Sequence, residues 1–435
     1  MRSNRIWCRA LLALPLAMVL HTPEPAVAQS KDFKIGVIFD ETGPFAGGGS
    51  LANKIGTKLA IDLINERGGV EGYKIVPTYV DAQSKIDTAI NEAERLINDT
   101  KVDMLMGVYS SAQCVPLSVK VDAAQKFWWA TVCIASAVFK DKNLKYVFRP
   151  TVHSDQYGEA SCIFIAENAK EKLKKEPKDV KVAIIHEDGP YGVGVATQNE
   201  AKCKELGLQV VHKEGYAATT GDLSAMVTKL RRAKPDVILH AGYNPDITLF
   251  MRQSKEAGLK FSALIGHGAG YSQYTALAEK VGAEVNYVMD VDPVAAQILD
   301  PKSLNPGVGD LIEEMLKRWR AQGGTGDAPP HLSMGFNNTY VFLTDVLPRA
   351  IKKYGGVDTD ALRKAAMDTD IPIGGTIQGY GVKFYPPGHK MAGQNERSIA
   401  VVMQYIDGKT KVLWPKELRT ADPVLPLPAS HAFGQ

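Results

Sequence analysis

Short runs of β-branched and aromatic residues alternate along the chain with stretches whose apolar residues recur every three to four positions. FKIGVIF, from Phe33, predicts a strand, and residues 51–66 predict a helix with Leu51, Ile55, Leu59 and Leu63 on one stripe. YKIVPTYV follows as a strand in which Pro77 signals an edge or an irregularity. Residues 88–98 predict a helix, VDMLMGV a buried strand, 115–125 a helix and FWWATV a strand, and KYVFRP closes the series. Such βαβα order predicts a parallel sheet with helices on both faces. A second series repeats the plan: helix 157–172, strand VKVAII, helix 191–206, strand LQVVH, helix 223–232, strand DVILHA, helix 247–257, then strands FSALIG and EVNYVMDV. After Pro293 the spacing is helical at 309–322 and 332–354, and residues 375–415 read as strands and turns. The Pro-rich end, 421–435, is expected to be loose.

With 435 residues, 45% of them hydrophobic, the chain has apolar material for two cores. The near-balance of 51 basic and 48 acidic residues gives no basic surplus, so no nucleic-acid partner is expected. The first thirty residues differ from the rest. Arg2, Arg5 and Arg9 precede an apolar run from Ala10 to Leu20, and Ala26-Val27-Ala28 forms a small-x-small cleavage site. This is the layout of a secretory signal peptide, residues 1–28, and the run is too short to span a bilayer. An exported, periplasmic protein is expected.

Cys8 leaves with that leader, and Cys114, Cys133, Cys162 and Cys203 remain for an oxidising compartment. Four cysteines allow three pairings. Cys114–Cys133 and Cys162–Cys203 are expected, since each pair falls on neighbouring elements of one αβ unit. No metal or cofactor motif appears. Nor is there a nucleophile elbow or an evident acid pair, so an enzyme is not expected.

The loop TGPFAGGGS, residues 42–50, lacks both phosphate-binding fingerprints and reads as a close-approach loop. It shares the carboxyl end of the predicted sheet with YSSAQC and CIASA, where ligands of open α/β sheets bind. Ser110, Ser111 and Ser136 stand there at helix starts, where hydroxyls and free N–H groups suit a carboxylate.

KIGVIFDETGPFAG, INERGGVEGYKI, VDAQS, GVYSSAQ, HEDGPYGVGVA, PDVILHAGYNP, VKFYPPGHK and VVMQYIDGKTKVLWP occur in that order. With these motifs the chain resembles the leucine-binding-protein group, the periplasmic solute-binding proteins of branched-chain-amino-acid-type ABC importers. The resemblance implies two doubly wound parallel α/β lobes joined by three crossings, the type I periplasmic binding fold. The crossings are expected near Arg149-Pro150, Val291-Pro293 and Ile377-Phe384. The N-lobe would then be 31–149 plus 293–377, and the C-lobe 150–292 plus 378–420.

By position, Ser111 and Ser136, with the backbone of Ile134 and Ala135, would hold a ligand carboxylate. Tyr191 and Tyr243 would close over it, and His331 lies near a further contact. Two positions depart from the family: Gly268 stands where amino-acid binders carry an acid, and Gly48 where they carry a ring. These departures favour a hydrophobic or aromatic acid, with His267 and Tyr271 reaching its distal hydroxyl. Branched-chain or other hydrophobic amino acids, short amides, or a sensor role are the alternatives. The expected partners are a small carboxylate and an ABC permease with its ATPase, approached by a monomer.

Overall fold

The computed structural model describes residues 31–435 apart from Ala269. The expected leader lies outside those residues. The first lobe is built from β1 (Lys31–Phe39), α1 (Ser50–Glu66), β2 (Tyr73–Asp81), α2 (Ile86–Asn98), β3 (Met104–Gly107), α3 (Ser111–Ala123), β4 (Phe127–Trp129) and β5 (Val147–Phe148). Its five-stranded sheet runs β2-β1-β3-β4-β5, all parallel. From Ile35 onward β1 is buried on both faces, which is why it reads as a continuous apolar run. β2 is the edge strand, so Pro77 costs no ladder bond on its outer side.

The second lobe follows with α4 (Ser154–Ala169), β6 (Lys181–Glu187), α5 (Pro190–Glu205), β7 (Gln209–Tyr216), α6 (Ser224–Ala233), β8 (Val237–Ala241), α7 (Asn244–Glu256), β9 (Ala263–His267), α8 (Tyr274–Val281) and β10 (Met289–Asp292). The chain then returns to the first lobe as α9 (Val308–Ala321), α10 (Pro330–Val341), a π turn (Phe342–Val346), α11 (Leu347–Tyr354) and α12 (Thr359–Met367). α10 packs along α1, where Gly56 and Gly335 let the backbones meet: a Cβ on either would fall about 2.1 Å from a carbonyl of the facing helix. β11 (Val401–Ile406) and β12 (Lys409–Trp414) form an antiparallel hairpin on the second sheet. That sheet runs β12-β11-β10-β9-β8-β6-β7.

Two doubly wound α/β lobes are therefore joined by three stretches, roughly 149–153, 293–307 and 368–400. Fully buried Arg149 ties two of them together. Its Nε donates to Gln394 Oε1 at 2.5 Å and its Nη1 to the carbonyls of Cys133 and Ala135. Asn395 Nδ2 donates to the carbonyl of Pro150 at 2.7 Å.

The C-terminal segment corrects one expectation. It is not loose: Leu427 N donates to Ser262 O at 2.7 Å and Phe261 N to Phe433 O at 3.0 Å. The Phe433 ring, 1% exposed, stacks on Phe261 at 5.0 Å. Proline content had suggested a solvated tail, but its Leu and Phe side chains bury against the second lobe.

Candidate functional site

In each sheet the strand order reverses at one point: between β1 and β3 in the first lobe, and between β6 and β8 in the second. Loops leaving the carboxyl ends of strands diverge there and leave a crevice. The Gly-rich loop and the Ser110-Ser111 turn follow β1 and β3, while Tyr191 and Tyr243 follow β6 and β8. These two crevices face each other. Between them lies a cavity of about 30 Å³ lined by Tyr109, Ser111, Val132, Ile134, Tyr157, Tyr191, Tyr243 and His331. That volume admits about one or two waters, so a larger ligand requires the rings to move or the lobes to part.

Ser111 opens α3. Ser110 caps the helix, its side chain accepting from Ala112 N at 3.3 Å. The Ser111 hydroxyl accepts from Ala135 N at 3.1 Å, which leaves its own proton for a ligand oxygen. Ile134 lines the cavity, and the carbonyl of Ala135 is held by Arg149. Burial holds the phenols of Tyr109, Tyr157, Tyr191 and Tyr243 well above their ordinary range, so all four are neutral. Across the cleft the Tyr243 ring lies 4.5 Å from Phe45 and 5.4 Å from Tyr191. Asn244 Nδ2 donates to Gly47 O at 2.7 Å.

His331 stands at the start of α10, its ring 5.6 Å from that of Tyr109. A Cβ on Gly49 would lie 1.8 Å from His331 Nδ1, and Gly49 itself has φ +130°. Both facts account for a glycine at that point in the loop.

Three expected residues do not reach the cavity. The Ser136 hydroxyl donates to Asp155 Oδ1 at 2.7 Å, beside Ser154 and His153. His267 is fully buried, with Nε2 3.2 Å from Ser161 Oγ and Nδ1 3.2 Å from His240 O. The Tyr271 hydroxyl meets His240 Nδ1 at 2.6 Å, inside the second lobe. Ser136 is taken up by the start of α4, and His267 and Tyr271 by side chains and backbone of the second lobe. The Gly-rich loop presents a ring to the cleft, that of Phe45. Tyr109, Val132 and Tyr157 line the cavity without having been singled out. Tyr109 sits within GVYSSAQ, beside the serines, and was the one within reach of sequence reasoning.

The expected disulfides both form: Cys114–Cys133, with Cα atoms 6.2 Å apart, and Cys162–Cys203, at 5.1 Å. The first links the start of α3 to the loop carrying Ile134 and Ala135. The second links α4 to α5.

Residues 32–404 match the model of the periplasmic binding protein family. The chain belongs to that family. A Brucella suis protein named Leu/Ile/Val-binding protein homolog 7 is 33% identical over 417 residues, 96% of this chain and 99% of that protein. Homolog 8 from Brucella abortus is 32% identical over 422 residues, 97% of this chain and 98% of its own length. Among solved structures, the leucine binding protein LivK of Thermotoga maritima superposes with TM-score 0.72 at 21% identity, covering 88% of this chain and 97% of that one. LivJ of Streptococcus pneumoniae, in complex with isoleucine, gives TM-score 0.71 at 19% identity, covering 88% and 100%. As a relative of the Leu/Ile/Val-binding protein homologs within that family, this chain is an extracytoplasmic solute-binding protein. Its two lobes are those of the type I fold.

Proposed function

We propose that this protein captures a small hydrophobic α-amino acid between its lobes and presents it, lobes closed, to a membrane ABC permease. One observation carries the reading: the Ser111 hydroxyl, at the N-terminus of a 13-residue helix, faces the rings of Tyr191 and Tyr243 across a small cavity. A helix N-terminus with a free hydroxyl proton holds a carboxylate. The aromatic and aliphatic walls hold an apolar side chain. The names of the Brucella relatives, and the isoleucine in LivJ, point the same way. The names of those relatives favour such a ligand over the bulkier aromatic acid expected from Gly48 and Gly268.

Binding to both lobes would favour the closed form by population shift. The test is a thermal-shift and calorimetry panel of leucine, isoleucine, valine, phenylalanine, benzoate and 4-hydroxybenzoate. A ligand at a hundred times its Kd stabilises by about 2.7 kcal/mol. Stabilisation by one or more of the amino acids is the expected result. Stabilisation by the benzoates alone would reject the reading.

A further inference from the structure

A ligand ammonium enclosed by this cavity needs a counter-charge, and position 268, a glycine, supplies none. The end of β10 offers one. Asp290 and Asp292 are both fully buried and, two residues apart on a strand, stand on one face. Among the described residues no lysine or arginine pairs with either. Burial, then the neighbouring Asp292 carboxyl, pushes the Asp290 carboxyl well above its usual range, so Asp290 keeps its proton.

Asp292 Oδ1 accepts from the Tyr157 hydroxyl, and Oδ2 lies 3.1 Å from His331 Nε2. That approach lacks the alignment of a hydrogen bond, and Oδ2 has no hydrogen-bond partner among the described residues. Tyr157 and His331 both line the cavity, so Asp292 stands directly behind its wall. A Cβ on Gly268 would fall 3.4 Å from Asp292 Oδ1 and 3.1 Å from the Tyr157 ring. The space that an acid at 268 would enter thus adjoins the carboxylate of Asp292.

Two other nearby acids are less suited. Both Glu187 oxygens are taken by backbone N–H groups, Gly189 at 2.6 Å and Gly192 at 2.5 Å. Asp40 accepts from Ser84 N and Gln113 Nε2 at Oδ1 and its Oδ2 has no hydrogen-bond partner among the described residues, but neither of those neighbours lines the cavity.

We propose that Asp292 is the carboxylate that pairs with the ammonium of the bound amino acid, an acid delivered from the inter-lobe strand end in place of the loop after β9. The proposal rests on the amino-acid reading above. It makes Asp292 a specificity determinant, because an acid lacking the ammonium would offer its free Oδ2 no donor.

Calorimetry on the native protein and on Asp292→Asn, with L-leucine and its des-amino counterpart 4-methylpentanoate, tests it. L-phenylalanine and 3-phenylpropanoate serve as a second pair. The expected result is a loss of at least about 30-fold for the amino acid in the variant, with the des-amino acid changed by less than about threefold. Asp292→Glu should recover part of the loss. Equal loss for both members of a pair, or no loss at all, overturns the role of Asp292 while leaving the amino-acid reading intact. Binding of the des-amino acids alone by the native protein overturns both. Should Asp292→Asn fail to fold, a crystal structure of the native protein with L-leucine decides: the ammonium must lie within hydrogen-bond distance of an Asp292 oxygen, and an ammonium placed elsewhere rejects the proposal.

Discussion

Ser111 and Ser136 look alike in the sequence, each a serine at a turn after a buried strand, yet the fold gives them different work. Ser111 keeps a hydroxyl proton for the cavity, whereas Ser136 spends its own on Asp155 at 2.7 Å. Ser111→Ala should therefore weaken leucine binding by about 1–2 kcal/mol. Ser136→Ala should act mainly on stability, and calorimetry beside urea unfolding separates the two effects. Equal losses of affinity would return Ser136 to the site. His267 carries a second prediction. Burial lowers its pKa to about 4, so it is neutral in the folded protein, while in the unfolded chain it titrates near the ordinary value of about 6.5. Its folded pKa is depressed, so its contribution is fully present above pH 6.5 and is lost as pH falls toward 4. Between pH 7 and 5 the native protein should lose about 2 kcal/mol more than His267→Asn, measured by urea unfolding at each pH. A gap independent of pH would show that His267 does not titrate in this way. What sequence could reach at this scale was residue type and strand end. It could not fix which strands lie beside the reversal in sheet order, because that depends on pairing between segments far apart in the chain.

The elements were more legible, because hydrophobic periodicity reports burial directly. The alternation that predicted β1, β3, β6 and β8 as buried strands is the alternation the two sheets use. Where the reading slipped, local chemistry explains it. Of the stripe expected on α1, Leu59 and Leu63 are buried but Leu51 and Ile55 are exposed, and Asn53, Gly56, Thr57 and Ala60 are buried in their stead. Close packing against α10 favours small residues there, so the apolar stripe misled over its first turn and a half. The helix expected at 332–354 is broken by a π turn, in which Leu347 N bonds to Phe342 O just before Pro348, whose ring nitrogen cannot donate. α12 was missed although Asp358 caps it through the N–H groups of Asp360 and Ala361. The disulfides, by contrast, follow from adjacency of elements. Cys114–Cys133, with a sequence separation of 19, ties α3 to the loop bearing Ile134 and Ala135. Replacing both cysteines by alanine should cost about 3 kcal/mol of stability by loop entropy. It should also weaken leucine binding, since Ala135 N and the Ser111 hydroxyl would no longer be held in register. Loss of Cys162–Cys203 should lower stability without that effect on affinity. Paired melting and calorimetry experiments check both; equal effects of the two bridges on affinity would refute the distinction.

At the scale of the whole molecule, the question is what holds the lobes together over the cleft. Away from the three crossings, the cleft-spanning contacts include Asn244 Nδ2 to Gly47 O at 2.7 Å and the ring of Tyr243 against those of Phe45 at 4.5 Å and Tyr109 at 6.4 Å. None requires a ligand. Each contributes to the closed form alone, so each sets how much of the ligand's binding free energy goes into closure. Asn244 does not line the cavity, which makes it the cleanest probe of this balance. Removing its side chain costs about 0.5–1.5 kcal/mol in the closed form and nothing in the open form. The apparent affinity for leucine should then fall by about 2- to 12-fold in Asn244→Ala, the closed fraction falling correspondingly. Small-angle scattering of the ligand-free variant should report a larger radius of gyration than the native protein, and saturating leucine should restore the native value. Unchanged scattering beside a weakened affinity would assign Asn244 a local role. A shift in scattering that leucine reverses would instead show that the Gly-rich loop, whose sequence excluded a phosphate, serves as the latch on which the second lobe closes.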